Sequence, residues 1–138
     1  MERTFAIIKP DAVKSRYVGQ IIQRIEAAGF TIRAMQMRHL TVAESEGFYA
    51  VHRARPFFGS LTQFMASGPC VVMALEADDG IKKWRTLMGA TDPGKADAGT
   101  LRKDFGASIE HNATHGSDAP DTTAFELGYF FPGIEFSR

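Results

Sequence analysis

The sequence predicts an α+β fold: a ferredoxin-like βαββαβ sandwich with helices on a four-stranded antiparallel sheet, a helical insertion and a long functional loop. Three observations carry that reading. "TFAII" at 4–8 is a short apolar run stopped by Lys-Pro, and "CVVMAL" at 70–75 is apolar on both faces, so each reads as a buried strand. Between and after them, apolar residues recur at helical spacing. Regular patterning then fails from Gly89 to about Thr123, and a loop of roughly thirty residues is rare in so small a domain unless it serves function.

Each element has its own signal. After the first strand, Val18, Ile21, Ile22, Ile25 and Ala28 fall on one helix face, and Gly29 supplies the C-cap. "FTIRAMQMRHL" reads as the second strand, with an alternation that changes phase around Ala34–Met35 and so predicts a bulge. Thr41 and Glu44 form a capping box that opens a helix running to about Val51. A shorter helix from Ser60 to Ala66 ends at "SGP". Beyond the strand at 70–75, Asp78 or Asp79 caps a helix bearing Ile81, Trp84 and Met88, which closes at Gly89. One helical turn is expected around Leu101–Phe105. Finally, "FELGYFF" sets Phe125, Leu127, Tyr129 and Phe131 against Glu126, Gly128 and Phe130, which predicts a last strand.

No repeat, low-complexity tract or linker divides the 138 residues, so a single domain over 1–138 is expected. Lys+Arg and Asp+Glu are both 16, giving a formal net charge of +0. No global basic field draws in nucleic acid or anionic membrane, so an anion site has to be built locally. The one cysteine, Cys70, lies in an apolar run and cannot form an intrachain disulfide; a reducing compartment and no catalytic thiol are expected. "MERTFAIIKP" lacks an extended apolar leader core, and no segment approaches the roughly 18 apolar residues that span a membrane. The expectation is a cytoplasmic protein.

Two chemical signals are decoys. "GATDPGKA" at 89–96 has phosphate-loop spacing, but Ala96 stands where Ser or Thr must hold magnesium, and the match follows a helix rather than a strand. "HNATH" puts His111 and His115 four apart, yet Asn112 replaces the glutamate that a zinc-protease motif needs. The positive case starts from cationic donors and hydroxyls that could handle phosphate: Lys9 at the end of the first strand, with Arg85, Thr91, Arg102, Asn112 and Gly116 in or beside the long loop. Taken singly, each suits a solvated face or a loop. His115, inside "NATHGSD", is harder to set aside, because an imidazole is a competent nucleophile near neutral pH. It needs a neighbour to fix its tautomer. Glu126 is either that partner or a solvent-facing strand residue.

These residues sit in a larger pattern. "IIKPDAV" at 7–13, "EGFYAVHRARPFF" at 46–58, "SGP" at 67–69, "LMGAT" at 87–91, "GTLRKDF" at 99–105 and "NATHGSD" at 112–118 occur in order. By these motifs the chain resembles the nucleoside diphosphate kinases from Arg3 to Phe131. The resemblance implies transfer of the γ-phosphate of a nucleoside triphosphate, typically ATP, to a nucleoside diphosphate by a ping-pong route through a phosphohistidine on His115. It implies that Glu126 and Ser117 orient the imidazole, and that Tyr49 places a hydroxyl beside it. Lys9, Arg85, Thr91 and Arg102 then contact phosphates, Lys9 and Asn112 the sugar hydroxyls, and Gly116 lines the nucleotide site. Phe57 offers a ring on which any base can stack. Mg2+ would ride on the nucleotide phosphates, with no protein metal ligands. Ala98 before Gly99, the short tail from Ile134 and the extra His111 depart from the family pattern.

Two other functions compete with this reading. An RNA-binding sheet of this topology would carry a basic-aromatic strand motif that is absent here. A non-catalytic nucleotide-binding scaffold fits poorly with an intact His115 and Arg102. The aromatic C-terminus, with Phe125, Tyr129, Phe130, Phe131, Ile134 and Phe136, exceeds what a small core needs. A homo-oligomer is therefore expected, with a dimer as building block and a tetramer favoured by the bacterial character of the resemblance.

Overall fold

The computed structural model of the chain describes residues 1–132. β1 (Glu2–Ile8), β2 (Thr31–Arg38), β3 (Cys70–Ala77) and β4 (Thr114–Gly116) form one antiparallel sheet in the order β2-β3-β1-β4. The two apolar strands take the centre, where both faces are covered. The β2–β3 register slips between Ile32 and Ala34, a bulge one step from where the sequence places it. Along β1, Ile7 faces His115 and Ile8 faces Thr114, so the loop histidine is held as a strand residue.

Helices α1 (Pro10–Lys14), α2 (Val18–Ala27), α3 (Val42–Phe48), α4 (Phe58–Met65), α5 (Gly80–Met88), α6 (Leu101–Phe105) and α7 (Pro120–Phe130) complete the sandwich. On one face Ile21 and Ile25 of α2 and Trp84 and Met88 of α5 pack against Ala6, Ile8, Met73 and Leu75. On the other, Phe48 of α3, Met65 of α4 and Phe130 of α7 pack against Phe5, Ile7, Val72 and Ala74. The Thr41–Glu44 capping box closes in both directions, at 2.9 and 3.0 Å, although α3 stops at Phe48 and continues to His52 as a 3-10 turn. Asp79 sits at the N-cap of α5 in a left-handed conformation without a side-chain cap. Among the described residues no helix is long and apolar enough to cross a membrane.

One predicted element is wrong. "FELGYFF" is helical, not a strand, and the fourth strand is the three-residue β4 instead. Pro120 at the first helical position and Asp121 in the first turn start α7. The strand reading groups Phe125, Leu127, Tyr129 and Phe131 on one face. In the helix they split into two pairs four residues apart: Phe125 and Tyr129 are exposed, whereas Leu127 packs on the core and Phe131 is buried. The long loop is also more ordered than its composition suggests, with a 3-10 turn at Pro93–Lys95, then α6 and β4. Residues 133–138, including Ile134 and Phe136, lie outside the described residues.

Candidate active site

β4 carries His115 into a cavity of about 480 Å3, whose lining includes Lys9, Tyr49, Phe57, Arg85, Thr91, Arg102, Asn112 and Gly116. Of the predicted site residues, only Ser117 and Glu126 lie off this wall; they stand behind the imidazole. His115 Nε2 is 3.0 Å from Glu126 Oε1, and Ser117 Oγ donates to the same oxygen at 2.8 Å. A carboxylate only accepts, so this contact assigns the ring proton to Nε2 and leaves the Nδ1 lone pair uncommitted. Trp84 Nε1 donates to the His115 carbonyl at 3.2 Å, which fixes the strand from the opposite side. Phe5, Phe48 and Tyr49 present ring edges to the imidazole at 5.4–6.2 Å. Glu126 therefore lies within hydrogen-bond reach of the imidazole, and it does so from a helix.

Next to His115, Gly116 is required by packing. A Cβ there would stand 2.5 Å from Trp84 Cδ1 and 2.6 Å from Met88 Cε. Tyr49 is buried, and burial first, then the Glu126 charge, pushes its phenol well above the ordinary range. It stays a neutral hydroxyl.

The cations are held unequally. Lys9 Nζ donates to the Glu110 carbonyl and to Asn112 Oδ1, both at 2.8 Å. Burial pulls its ammonium down to about 8, against the opposing charge of Asp11. Arg102 donates to the carbonyls of Gly89 and Thr114. Burial, then the neighbouring Arg85, brings it down to about 10, which leaves it charged at neutral pH. Its Nε is buried without a hydrogen-bond partner among the described residues. Arg85 is more exposed and pairs with Asp118 at 2.7 Å. Asn112 donates from Nδ2 to the Thr91 carbonyl at 3.0 Å, tying the two loop segments together.

At the cavity mouth Phe57 is 41% exposed, with His52 and the Arg55 guanidinium against its ring. Leu61 and Ile109 complete an apolar wall that the sequence reading missed. Ile109 is a lone exposed apolar residue in a polar loop, and that exposure, invisible in one sequence, is its signal. An adjoining depression of about 560 Å3 shares Arg85 and Asp118 but contains neither the imidazole nor an aromatic wall. The imidazole and the cations Lys9, Arg85 and Arg102 gather in the first cavity. The phosphate-loop decoy at 89–96 is a helix cap and a 3-10 turn. Cys70 is buried and its thiol is pushed up to about 11 by that burial.

The family model for nucleoside diphosphate kinase matches residues 2–136. The nucleoside diphosphate kinase of Geotalea daltonii is 58% identical over 135 residues, 98% of each chain. That of Desulfovibrio desulfuricans is 56% identical over 138 residues, covering 100% of this chain and 99% of the relative. Among solved structures, the Aquifex aeolicus nucleoside diphosphate kinase superposes with a TM-score of 0.95 at 40% identity, covering 98% of both chains. The Halobacterium salinarum enzyme, solved in complex with CDP, gives 0.92 at 38% identity over 97% of this chain and 90% of that one.

Proposed function

The chain belongs to the nucleoside diphosphate kinase family, a family of phosphotransferases acting on nucleotides, and on that premise we propose that His115 is the residue that carries the phosphoryl group. The observation that supports it most is the 3.0 Å contact between His115 Nε2 and Glu126. With Nε2–H committed to a carboxylate, the Nδ1 lone pair is the nucleophile. Nδ1 attacks the γ-phosphorus, the bond to the β-bridging oxygen breaks, and the diphosphate leaves with that electron pair. The ring becomes cationic as the N–P bond forms, and Glu126 stabilises it through Nε2–H. A terminal oxygen of a second diphosphate then attacks the phosphorus, and the N–P electron pair returns to the ring.

Phosphoryl transfer is largely positioning and charge stabilisation. Lys9, Arg85 and Arg102 supply the positive charge, with Thr91 and the Tyr49 hydroxyl as neutral contacts. Lys9 and Asn112, already paired at 2.8 Å, suit the sugar hydroxyls. Magnesium is the expected companion of the nucleotide. Beside the cations, Glu110 and Asp118 are the carboxylates of the cavity wall, and among the described residues no group of three or more His, Cys, Asp or Glu could hold a metal. Such a donor set suits a cation carried in on phosphates, where it would neutralise charge on the transferred group.

Stacking on Phe57 against Leu61 and Ile109 reads no base edges, so purine and pyrimidine diphosphates, ribo and deoxy, should all accept phosphate. We place the enzyme in the cytoplasm, as one domain, assembled as a dimer that doubles to a tetramer. β2 is an edge strand with Met35 and Met37 exposed, which favours pairing across a two-fold axis.

The test is incubation with γ-labelled ATP and magnesium. The label is expected on His115 as an acid-labile Nδ1-phosphohistidine that chases onto added GDP or CDP. Transfer at near the parent rate by His115→Ala would overturn the assignment.

A further inference from the structure

Ala113 lies two residues before His115 with φ at +73, a left-handed conformation that a side chain disfavours. It is fully buried, immediately before β4. Both of its backbone polar groups are held by the chain that follows β1. Its carbonyl accepts from the Lys9 amide at 2.8 Å, and its own amide donates to Asp11 Oδ2 at 3.0 Å. The Asp11 side chain thus extends the β1–β4 ladder past Thr114 by one more contact. The other carboxylate oxygen, Oδ1, is buried with no hydrogen-bond partner among the described residues. Leaving a buried acceptor unsatisfied is unfavourable. A residue kept at that cost in a strained segment marks a place where geometry is imposed from outside.

We propose that Asp11 is a positioning residue for phosphoryl transfer: its carboxylate clamps Ala113 in the left-handed conformation and so fixes how β4 presents His115. The proposal rests on the reading of His115 as nucleophile. Asp11 also has a second effect, through charge. Three charged groups face the buried Lys9 ammonium: Asp11 from α1, Arg102 from α6 and Glu110 from the segment ahead of β4. Asp11 is the strongest of these and favours the protonated lysine. Geometry and charge can be separated, because an asparagine keeps an oxygen acceptor of the same shape but carries no charge.

The experiment follows single-turnover labelling of His115, steady-state kinetics against pH, and melting temperature in the full-length protein. Asp11→Ala is expected to lower both the labelling rate and kcat by about tenfold or more while nucleotide KM stays within about threefold, the pattern of a lost orienting contact. Adding Ala113→Gly to that variant should recover part of kcat, since glycine adopts the left-handed conformation without a Cβ clash. Asp11→Asn should retain most of kcat at neutral pH but shift the alkaline limb of kcat/KM to lower pH. A merely structural role would lower the melting temperature and leave kcat unmoved, whereas the limb reads only the Asp11 charge on Lys9. If Asp11→Ala does not fold, Asp11→Ser, whose hydroxyl is too short to reach the Ala113 amide, replaces it, and labelling by that variant at the parent rate overturns the proposal. Labelling by Asp11→Ala at the parent rate also overturns it. A parent enzyme that takes no label on His115 overturns the nucleophile assignment first, and this inference with it.

Discussion

At the scale of single residues, the site is a set of polar groups whose partners decide their chemistry. Glu126 has two readings in the sequence, solvated or orienting, and the 3.0 Å contact to His115 with the 2.8 Å contact from Ser117 supports the second. Glu126→Gln keeps the shape but weakens stabilisation of the cationic ring, so kcat should fall by about an order of magnitude or more with nucleotide binding nearly unchanged. Stopped-flow turnover and nucleotide titration check it; an unaltered turnover number would return Glu126 to a structural part. Lys9 gives a pH signature. Its ammonium, ordinarily near 10.5, is lowered to about 8, chiefly by burial. Above that value the free enzyme loses a phosphate-binding charge, so kcat/KM should decline as pH rises through about 8, while bound phosphates shift the kcat limb to higher pH. Stability moves the other way. From about 8 to 10.5 the unfolded chain holds the proton that the folded chain has shed, so folding gains with pH in that window. Lys9→Met should abolish both trends. His115, Lys9 and Arg102 were legible because the family motifs name them. Asp11, Leu61 and Ile109 were not, since their roles arise from neighbours about fifty to a hundred positions away in the chain.

At the scale of elements, strong patterns survived and short ones did not. The buried runs of β1 and β3, the amphipathic faces of α2 and α5 and the Thr41 capping box were all readable, because each repeats a signal over several residues. β4 has three residues, too few for any alternation, and its pairing to β1 is set by contacts across the fold. α7 failed for the opposite reason. Its aromatics satisfy a two-residue period and a four-residue period at once, and only burial separates Phe125 and Tyr129 from Leu127 and Phe131. The Pro-Asp start was the clue that should have outweighed the alternation. The fit of β4 against α5 yields a prediction of its own. Gly116→Ala would drive a Cβ to 2.5 Å from Trp84, and overpacking of this kind costs about 1–3 kcal/mol. The strand and the indole must then separate, weakening the Trp84 bond to the His115 carbonyl. We expect a lower melting temperature together with a loss of kcat larger than that of nucleotide affinity. An alanine variant with parent-like melting and turnover would mean that α5 yields freely and does not brace the nucleophile.

At the scale of the whole molecule, the sheet leaves unequal edges. β4 is short and enclosed by the catalytic loop, whereas β2 runs for eight residues with Met35 50% and Met37 59% exposed. A long edge bearing two methionines on one face invites pairing with another copy, and a two-fold axis lets the same strand satisfy itself. The cavity lies toward the opposite edge of the sheet, lined by β4, by Lys9 just after β1, and by residues of α4, α5, α6 and the loops. Pairing through β2, as proposed, would stabilise each chain without closing its nucleotide site, and both sites of such a dimer should turn over independently. Sedimentation equilibrium at micromolar protein should return twice or four times the 15.2 kDa chain mass. Met37→Lys places a charge on the pairing face, a device that blunts free strand edges. That variant should shift the distribution toward monomer and lower the melting temperature, while the specific activity of the remaining folded protein stays near the parent value. A parent protein that sediments as a 15.2 kDa monomer would remove assembly through β2 altogether. An oligomer unmoved by Met37→Lys would transfer the interface to the exposed Phe125–Tyr129 face of α7.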